Sequence, residues 1–256
     1  MSSLVSVDNL MLGPFTKFSI EIPLNSLVFV TGSNNSGKSL LLKVLAGLVN
    51  VKNKITYDKE IIKSGNDISY MACLTFNYDT VLKNIRYSVE RLGYDDDKIN
   101  VLVRDIAKDL HITNLLNKNI KDLNEYEKLR VCLASKTISN PKLLLLDDPC
   151  LFLSPIEKEE FMGFLEQLRT RGITIIISTS TLEEVIYTIN SIIYVLDKGE
   201  IVSSGEMLEV LSNDSLLNKI GLELPFMVDL SVKLEYYNLT DKINMSPLGM
   251  VESLWK

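Results

Sequence analysis

The chain has 256 residues, 33 acidic and 27 basic side chains and a formal net charge of -6, a balance that argues against a dedicated nucleic-acid binder with its basic face. Hydrophobic residues make up 46%, which is ample for a core at this length and too many for intrinsic disorder. One histidine, His111, and one glutamine, Gln167, exclude a multi-histidine metal site and a Cys/His zinc site.

Three widely spaced cysteines, Cys73, Cys132 and Cys150, read as small buried hydrophobes of a reduced protein. Met1–Val7 lacks the charged and apolar regions of a secretory signal. No run reaches the roughly 18–20 apolar residues of a spanning helix, so the expectation is a soluble cytoplasmic protein. Short apolar runs alternate with helical patterns, which predicts an α/β fold with a mixed, mainly parallel sheet. Leu27–Thr31 (LVFVT) reads as a buried strand running into Gly32–Ser39, and Leu40–Leu48 as the helix behind it. Ile68–Leu74 is a second, more polar strand. From Val81 to Ser139 apolar residues recur at helical spacing (Val81, Ile85, Val89; Val101, Ile106, Leu110), which predicts a helical insertion into the sheet domain.

Leu143–Asp147 (LLLLD) is the strongest core strand. After it the pattern predicts a helix over Phe161–Thr170, a strand over Ile173–Ser178, a helix over Leu182–Ile189 and a strand over Ile192–Leu196. Asp197-Lys198-Gly199-Glu200 turns that strand back into Ile201–Ser203 as an antiparallel hairpin. Residues 206–218 read as one helix, and a tail begun by Pro225 closes the chain. The expected organisation is a main α/β domain over 1–222, with the helical part at about 78–139, and a C-terminal tail over 223–256.

Gly32-Ser33-Asn34-Asn35-Ser36-Gly37-Lys38-Ser39 matches G-x-x-x-x-G-K-S between a strand and a helix. Such a loop aims successive backbone N–H groups at one point, where the helix dipole adds positive potential. Lys38 is expected to reach the β- and γ-phosphates of a nucleoside triphosphate and Ser39 to ligate Mg²⁺. Asp147, at the end of its leucine strand, is the matching acid for Mg²⁺. Together they predict a P-loop nucleotide binder.

Further stretches resemble the ATP-binding subunits of ABC transporters, over almost the whole length. Thr80-Val81-Leu82-Lys83-Asn84-Ile85 is similar to the motif opening that family's helical subdomain. Leu123–Val131 (LNEYEKLRV) resembles its signature L-S-G-G-Q-x-Q-R-V, and Leu196–Val202 followed by Gly205 resembles its late hairpin. The tail Gly221–Phe226 is similar to one branch, the energy-coupling-factor importers of vitamins and transition-metal ions. The resemblance implies an ABC-type P-loop ATPase fold, ATP with Mg²⁺, and a peripheral place on the cytoplasmic face of the membrane. It also implies a sister ATP-binding subunit or a homodimer, an integral membrane transporter subunit, and no nucleic acid.

Against that family the catalytic positions are degenerate. Asn35 stands where the loop usually has Gly, and Leu40 where it has a second hydroxyl. Near Cys73 the family has glutamine. Asn124-Glu125-Tyr126 replaces Ser-Gly-Gly, whose glycines let amides approach the opposite subunit's nucleotide; an ordinary helix start is the other reading of Glu125 and Tyr126. Asp148 stands for the catalytic glutamate, one methylene short, or roughly 1.5 Å. Ser180 stands for the switch histidine, and Ser154 for an aspartate of the dimer loop. Phe15 lies nearest to the family's adenine-stacking aromatic, with a core role as the alternative. Gln167 is expected at the surface, and His111, in the helical insertion, to be structural or exposed. The resemblance therefore implies an importer subunit with weak or absent hydrolysis of its own, or a non-hydrolysing regulatory subunit beside an active sister.

Overall fold

In a computed structural model, residues 3–254 are described apart from 53, 91, 189 and 241. The centre is a six-stranded sheet in the order β5-β6-β7-β3-β8-β9. Its members are β3 (Leu27–Gly32), β5 (Ile68–Met71), β6 (Leu143–Asp147), β7 (Thr174–Ser178), β8 (Ile192–Asp197) and β9 (Glu200–Glu206). All pairings are parallel except β8 with β9, which form the expected hairpin. The mixed, mainly parallel sheet is thus borne out.

Strands buried on both faces read as continuous apolar runs rather than alternations, and their side chains divide between two cores. Leu27, Phe29, Leu144, Leu146, Ile175 and Ile177 face one cluster. Val28, Val30, Leu143, Leu145 and Ile176 face the other. The second cluster is closed by helix α1 (Lys38–Leu45) and by a smaller antiparallel sheet, in the order β2-β1-β4, of β1 (Ser3–Leu12), β2 (Phe15–Pro23) and β4 (Ile55–Tyr57). Each fully buried Leu, Ile or Phe here contributes about 1.5–3 kcal/mol relative to exposure. This small sheet was not anticipated. Its signal was present in Phe18, Ile20 and Ile22, which alternate with polar residues, as expected of a strand with one buried face.

The first cluster is covered by helices. α2 (Val81–Glu90), α3 (Asp96–Asp109) and α4 (Glu125–Thr137) fill the segment where the helical insertion was expected. α5 (Pro155–Thr170) starts six residues before the predicted Phe161. Ser154 caps it by accepting from Glu157 N while the Glu157 carboxylate accepts from Ser154 N, and Pro155 occupies the first turn. The helix expected over Leu182–Ile189 is a single 3₁₀ turn, Val185–Tyr187, and Ile189 lies outside the described residues. Local side chains divert that backbone: Glu184 turns back to the Thr179 and Thr181 hydroxyls, and Thr188 Oγ1 donates to the Val185 carbonyl at 2.8 Å.

The helix expected over 206–218 divides into α6 (Met207–Leu211) and α7 (Asp214–Lys219), because Asn213 caps the second. The strand from Ile68 ends at Met71, the last residue paired with β6. The tail carries α8 (Phe226–Tyr236) and α9 (Pro247–Leu254). Cys132 and Cys150 are buried as expected, but Cys73 is exposed, because it lies beyond the end of β5.

Gly199 makes the β8–β9 turn at φ 83°, and a Cβ there would meet the Pro14 carbonyl oxygen at 2.0 Å. Gly47 has φ 71° with open space around it. Both substitutions to alanine strain the backbone by about 1–2 kcal/mol, but only the first also collides with rigid main chain. Gly199→Ala is therefore expected to lower stability in urea denaturation by clearly more than Gly47→Ala. Equal losses would show that the turn can move away from Pro14.

Candidate nucleotide site

The ends of β3, β6 and β7 lie side by side, and each carries one part of the site. β3 delivers the loop. Asn35 adopts φ 61°, the left-handed conformation that asparagine tolerates better than most residues; the loop thus keeps its shape without glycine at that position. Gly37 caps α1 at φ 111°. Ser33 N donates to the Leu196 carbonyl at 3.2 Å and Ser33 Oγ to Asp197 Oδ1 at 2.6 Å, which ties the loop to β8. Asn34 is exposed at the tip, and the Ser36 hydroxyl is buried without a partner. An orphaned buried hydroxyl is costly, and here it lies within a loop whose composition suits an anion.

Lys38 Nζ donates to the carbonyls of Gly32 at 2.8 Å and Ser33 at 3.0 Å, so the ammonium bridges the mouth of the loop. Burial lowers its pKa, opposed by the nearby carboxylates of Asp148 and Asp147. Ser39 Oγ donates to Asp147 Oδ1 at 2.9 Å. The expected pair of cation ligands is thus in contact across 108 residues of sequence, and both offer the hard oxygen donors that Mg²⁺ prefers.

Asp148 follows with φ 51°. Its backbone N–H donates to the Ser178 carbonyl at 3.0 Å, and its carboxylate accepts from Ser180 Oγ at 3.1 Å. The two residues standing at the degenerate catalytic positions therefore touch. Burial pushes the Asp148 carboxyl up, while the Ser180 hydrogen bond and Lys38 pull it down. Ser180 is held by its own segment. Glu184, almost fully buried, accepts from Thr179 Oγ1 at 3.2 Å and Thr181 Oγ1 at 2.7 Å and pairs with Lys158 Nζ at 2.8 Å. A buried carboxylate is tolerable only with such partners.

Other expected positions resolve differently. Phe15 is a core residue, not a base-stacking surface: it is 2% exposed, packs on Phe18 with ring centroids 4.6 Å apart, and lies against Gly37. Asn124-Glu125-Tyr126 forms an ordinary helix start. Asn124 and Glu127 make a capping box, Glu125 is exposed beside Lys128 at 2.7 Å, and Tyr126 is buried with Arg130 over its ring. Cys73 lines an open, mostly apolar cavity of about 340 Å³ with Met71, Leu74, Phe152 and both aspartates. Gln167 and His111 are exposed. Sequence reading missed Tyr70, Ser178 and Asp197, which hold Asp147 and Ser33 by hydrogen bonds. For Tyr70 the signal lay in strand register, which cannot be read before the pairing of β5 with β6 is known.

Comparison with protein families matches residues 15–151, more than half of the chain, to the ABC transporter family. The chain belongs to that family. Among curated relatives, the energy-coupling factor transporter ATP-binding protein EcfA1 of Mycoplasma pneumoniae is 29% identical over 93% of this chain and 89% of its own. The corresponding EcfA3 protein of Oenococcus oeni is 29% identical over 85% and 80%. Of solved structures, CbiO1 of Clostridium perfringens, part of the ABC transporter complex CbiONQ, superimposes with a TM-score of 0.76 at 22% identity over 86% of this chain and 95% of that one. An ATP-binding cassette of an ABC transporter in its ADP conformation gives a TM-score of 0.73 at 18% identity, over 86% and 97%. The fold is that of an ABC ATPase. Among the described residues, no helix is long and apolar enough to cross a membrane.

Lys38→Ala in this ABC family member removes the ammonium that bridges the loop mouth. Nucleotide binding, followed by calorimetry, is expected to fall at least tenfold with the fold intact by circular dichroism; unchanged affinity would remove Lys38 from the site.

Proposed function

We propose that the chain is the ATP-binding subunit of an energy-coupling-factor-type importer, seated peripherally on the cytoplasmic face of the membrane. It would couple ATP binding and slow hydrolysis to solute uptake. The observation carrying this reading is the contact of Ser39 with Asp147 beside a complete phosphate loop, in a chain whose relatives are energy-coupling-factor ATP-binding proteins. The loop amides and Lys38 would hold the phosphates at the N-terminus of α1, where N–H groups and dipole act together. Mg²⁺, held by Ser39 and Asp147, would neutralise charge on the phosphate oxygens.

Asp148 is the residue best placed to orient and deprotonate the attacking water. Its raised pKa suits proton transfer, and Ser180 holds its carboxylate in place at 3.1 Å. Two chemical deficits slow the step. The aspartate is one methylene shorter than the family's glutamate, and a serine supplies no cationic imidazole for the transferring phosphoryl group. A second ATP-binding subunit would share the dimer.

A groove of about 670 Å³ beside the start of the helical segment, lined by Phe76, Asn77, Tyr78, Asp79 and Ile120, would offer a seat for the membrane subunit. Asn84 fixes its wall: the side chain accepts from Asn77 N at 2.8 Å and donates to the Tyr78 carbonyl at 2.6 Å. Motion of α2 would be passed through those bonds.

Isolation of the chain from detergent-solubilised membranes of its source is expected to recover an integral membrane protein and a second ATP-binding subunit, and the complex is expected to turn over ATP faster than the purified chain. Recovery of soluble protein alone would contradict the importer reading. In a second test, the double variant Asp148→Glu, Ser180→His is expected to raise turnover by roughly 10²-fold, the lower range of general-base effects. No gain would locate the deficit outside these two positions.

A further inference from the structure

Three hydroxyls hold Asp147, and each comes from a different element. Oδ1 accepts from Ser39 Oγ at 2.9 Å and from Ser178 Oγ, while Oδ2 accepts from Tyr70 Oη at 3.1 Å. Ser39 belongs to the phosphate loop and Ser178 to β7. Tyr70 comes from β5, on the far side of β6. The parallel register sets Tyr70 opposite Leu145, so its side chain shares a face with Leu145 and, two residues on, with Asp147. Only a long side chain spans that step along the strand, and the phenol does so with its hydroxyl at the end.

We propose that Tyr70 is a positioning residue for the divalent-cation site, fixing the plane of the Asp147 carboxylate through Oδ2 so that Oδ1 stays turned toward Ser39. The proposal rests on the reading of Ser39 and Asp147 as the cation's ligands. Hydrogen bonds to both oxygens of a carboxylate resist rotation about its Cβ–Cγ bond more stiffly than bonds to one oxygen do. Ser178 and Ser39 both meet Oδ1, and Oδ2 is left to the phenol. Cys73, three residues on from Tyr70, is exposed at the cavity wall and has no hydrogen bond to the carboxylate among those described. The phenol therefore supplies the second anchor. Partners behind a metal ligand change cation affinity by about 10–100-fold when removed.

Tyr70→Phe keeps the ring and deletes only the hydroxyl. The readout is ADP affinity by calorimetry, measured once with Mn²⁺ and once in EDTA. In the parent chain Mn²⁺ is expected to tighten ADP binding. In Tyr70→Phe that enhancement is expected to fall about tenfold, with the EDTA affinity within twofold of the parent and an unchanged melting temperature. An undiminished enhancement overturns the proposal. An equal loss in EDTA overturns it as well, because the phenol then acts on the loop or the fold. Asp147→Asn separates the premise from the proposal: if it leaves the parent's Mn²⁺ enhancement intact, Asp147 is not a cation ligand and Tyr70 has nothing to position.

Discussion

The site depends on the register of three parallel strands. Ser178, the last residue of β7, lies opposite Val30 of β3 on one side and Asp147 of β6 on the other. This single alignment places the end of the loop-bearing strand, the acid pair and the switch segment at one edge of the sheet. The hydrogen bonds that maintain it are backbone bonds: Thr179 N to the Val30 carbonyl at 3.1 Å and Asp148 N to the Ser178 carbonyl at 3.0 Å. A slip of one residue would turn Asp147 to the opposite face and reverse which of the two cores each leucine of β6 enters. The apolar alternation between the cores therefore guards the geometry of the polar edge. Stability and site share one constraint.

Within that edge, hydroxyls surround both acids. Ser39, Ser178 and Tyr70 hold Asp147, Ser180 holds Asp148, and Thr179 and Thr181 hold Glu184. A hydroxyl orients a carboxylate as well as an imidazole or a carboxamide does. It does not bring positive charge to a phosphoryl group in transit, and the catalytic contribution of preorganised charge is commonly the largest single term. The arrangement is thus a well-ordered acid pair with hydroxyls, rather than an imidazole, beside it. The raised pKa of Asp148 follows from the same setting: burial pushes it up, the Glu184 and Asp147 carboxylates add to that, and only the Ser180 hydroxyl and the Lys38 ammonium oppose them.

The sequence was legible wherever one local pattern answered to one local structure. The loop, the leucine strand, the β8–β9 hairpin and the helical segment all follow from composition and spacing within about a dozen residues. Three kinds of feature were not legible. The antiparallel sheet of β1, β2 and β4 is signalled only by the alternation of Phe18, Ile20 and Ile22, beside the stronger apolar run of β3. The segment after Ser180 carries helical spacing, yet Glu184 and the threonines around it bond side chain to side chain and leave one 3₁₀ turn. Tyr70 depends on which strand lies beside β6. Phe15 shows the converse: sequence position brought it near the phosphate loop, and packing against Phe18 and Gly37 took its ring out of reach of any ligand.

The departures from the family pattern fall unevenly, and the physical basis of each function explains why. Phosphate binding draws on backbone N–H groups, a helix terminus and one lysine, so it depends mainly on main-chain shape. Asn35 preserves that shape at φ 61°, and Leu40, in place of a hydroxyl, gives up one contact and packs toward Gly13. Hydrolysis draws on individual side chains whose reach and charge have few substitutes, and there a methylene or an imidazole is decisive. A chain under selection for binding alone can lose the second set while keeping the first, since the backbone geometry is defended by the two cores. Folding and binding then persist together, while turnover is free to decline.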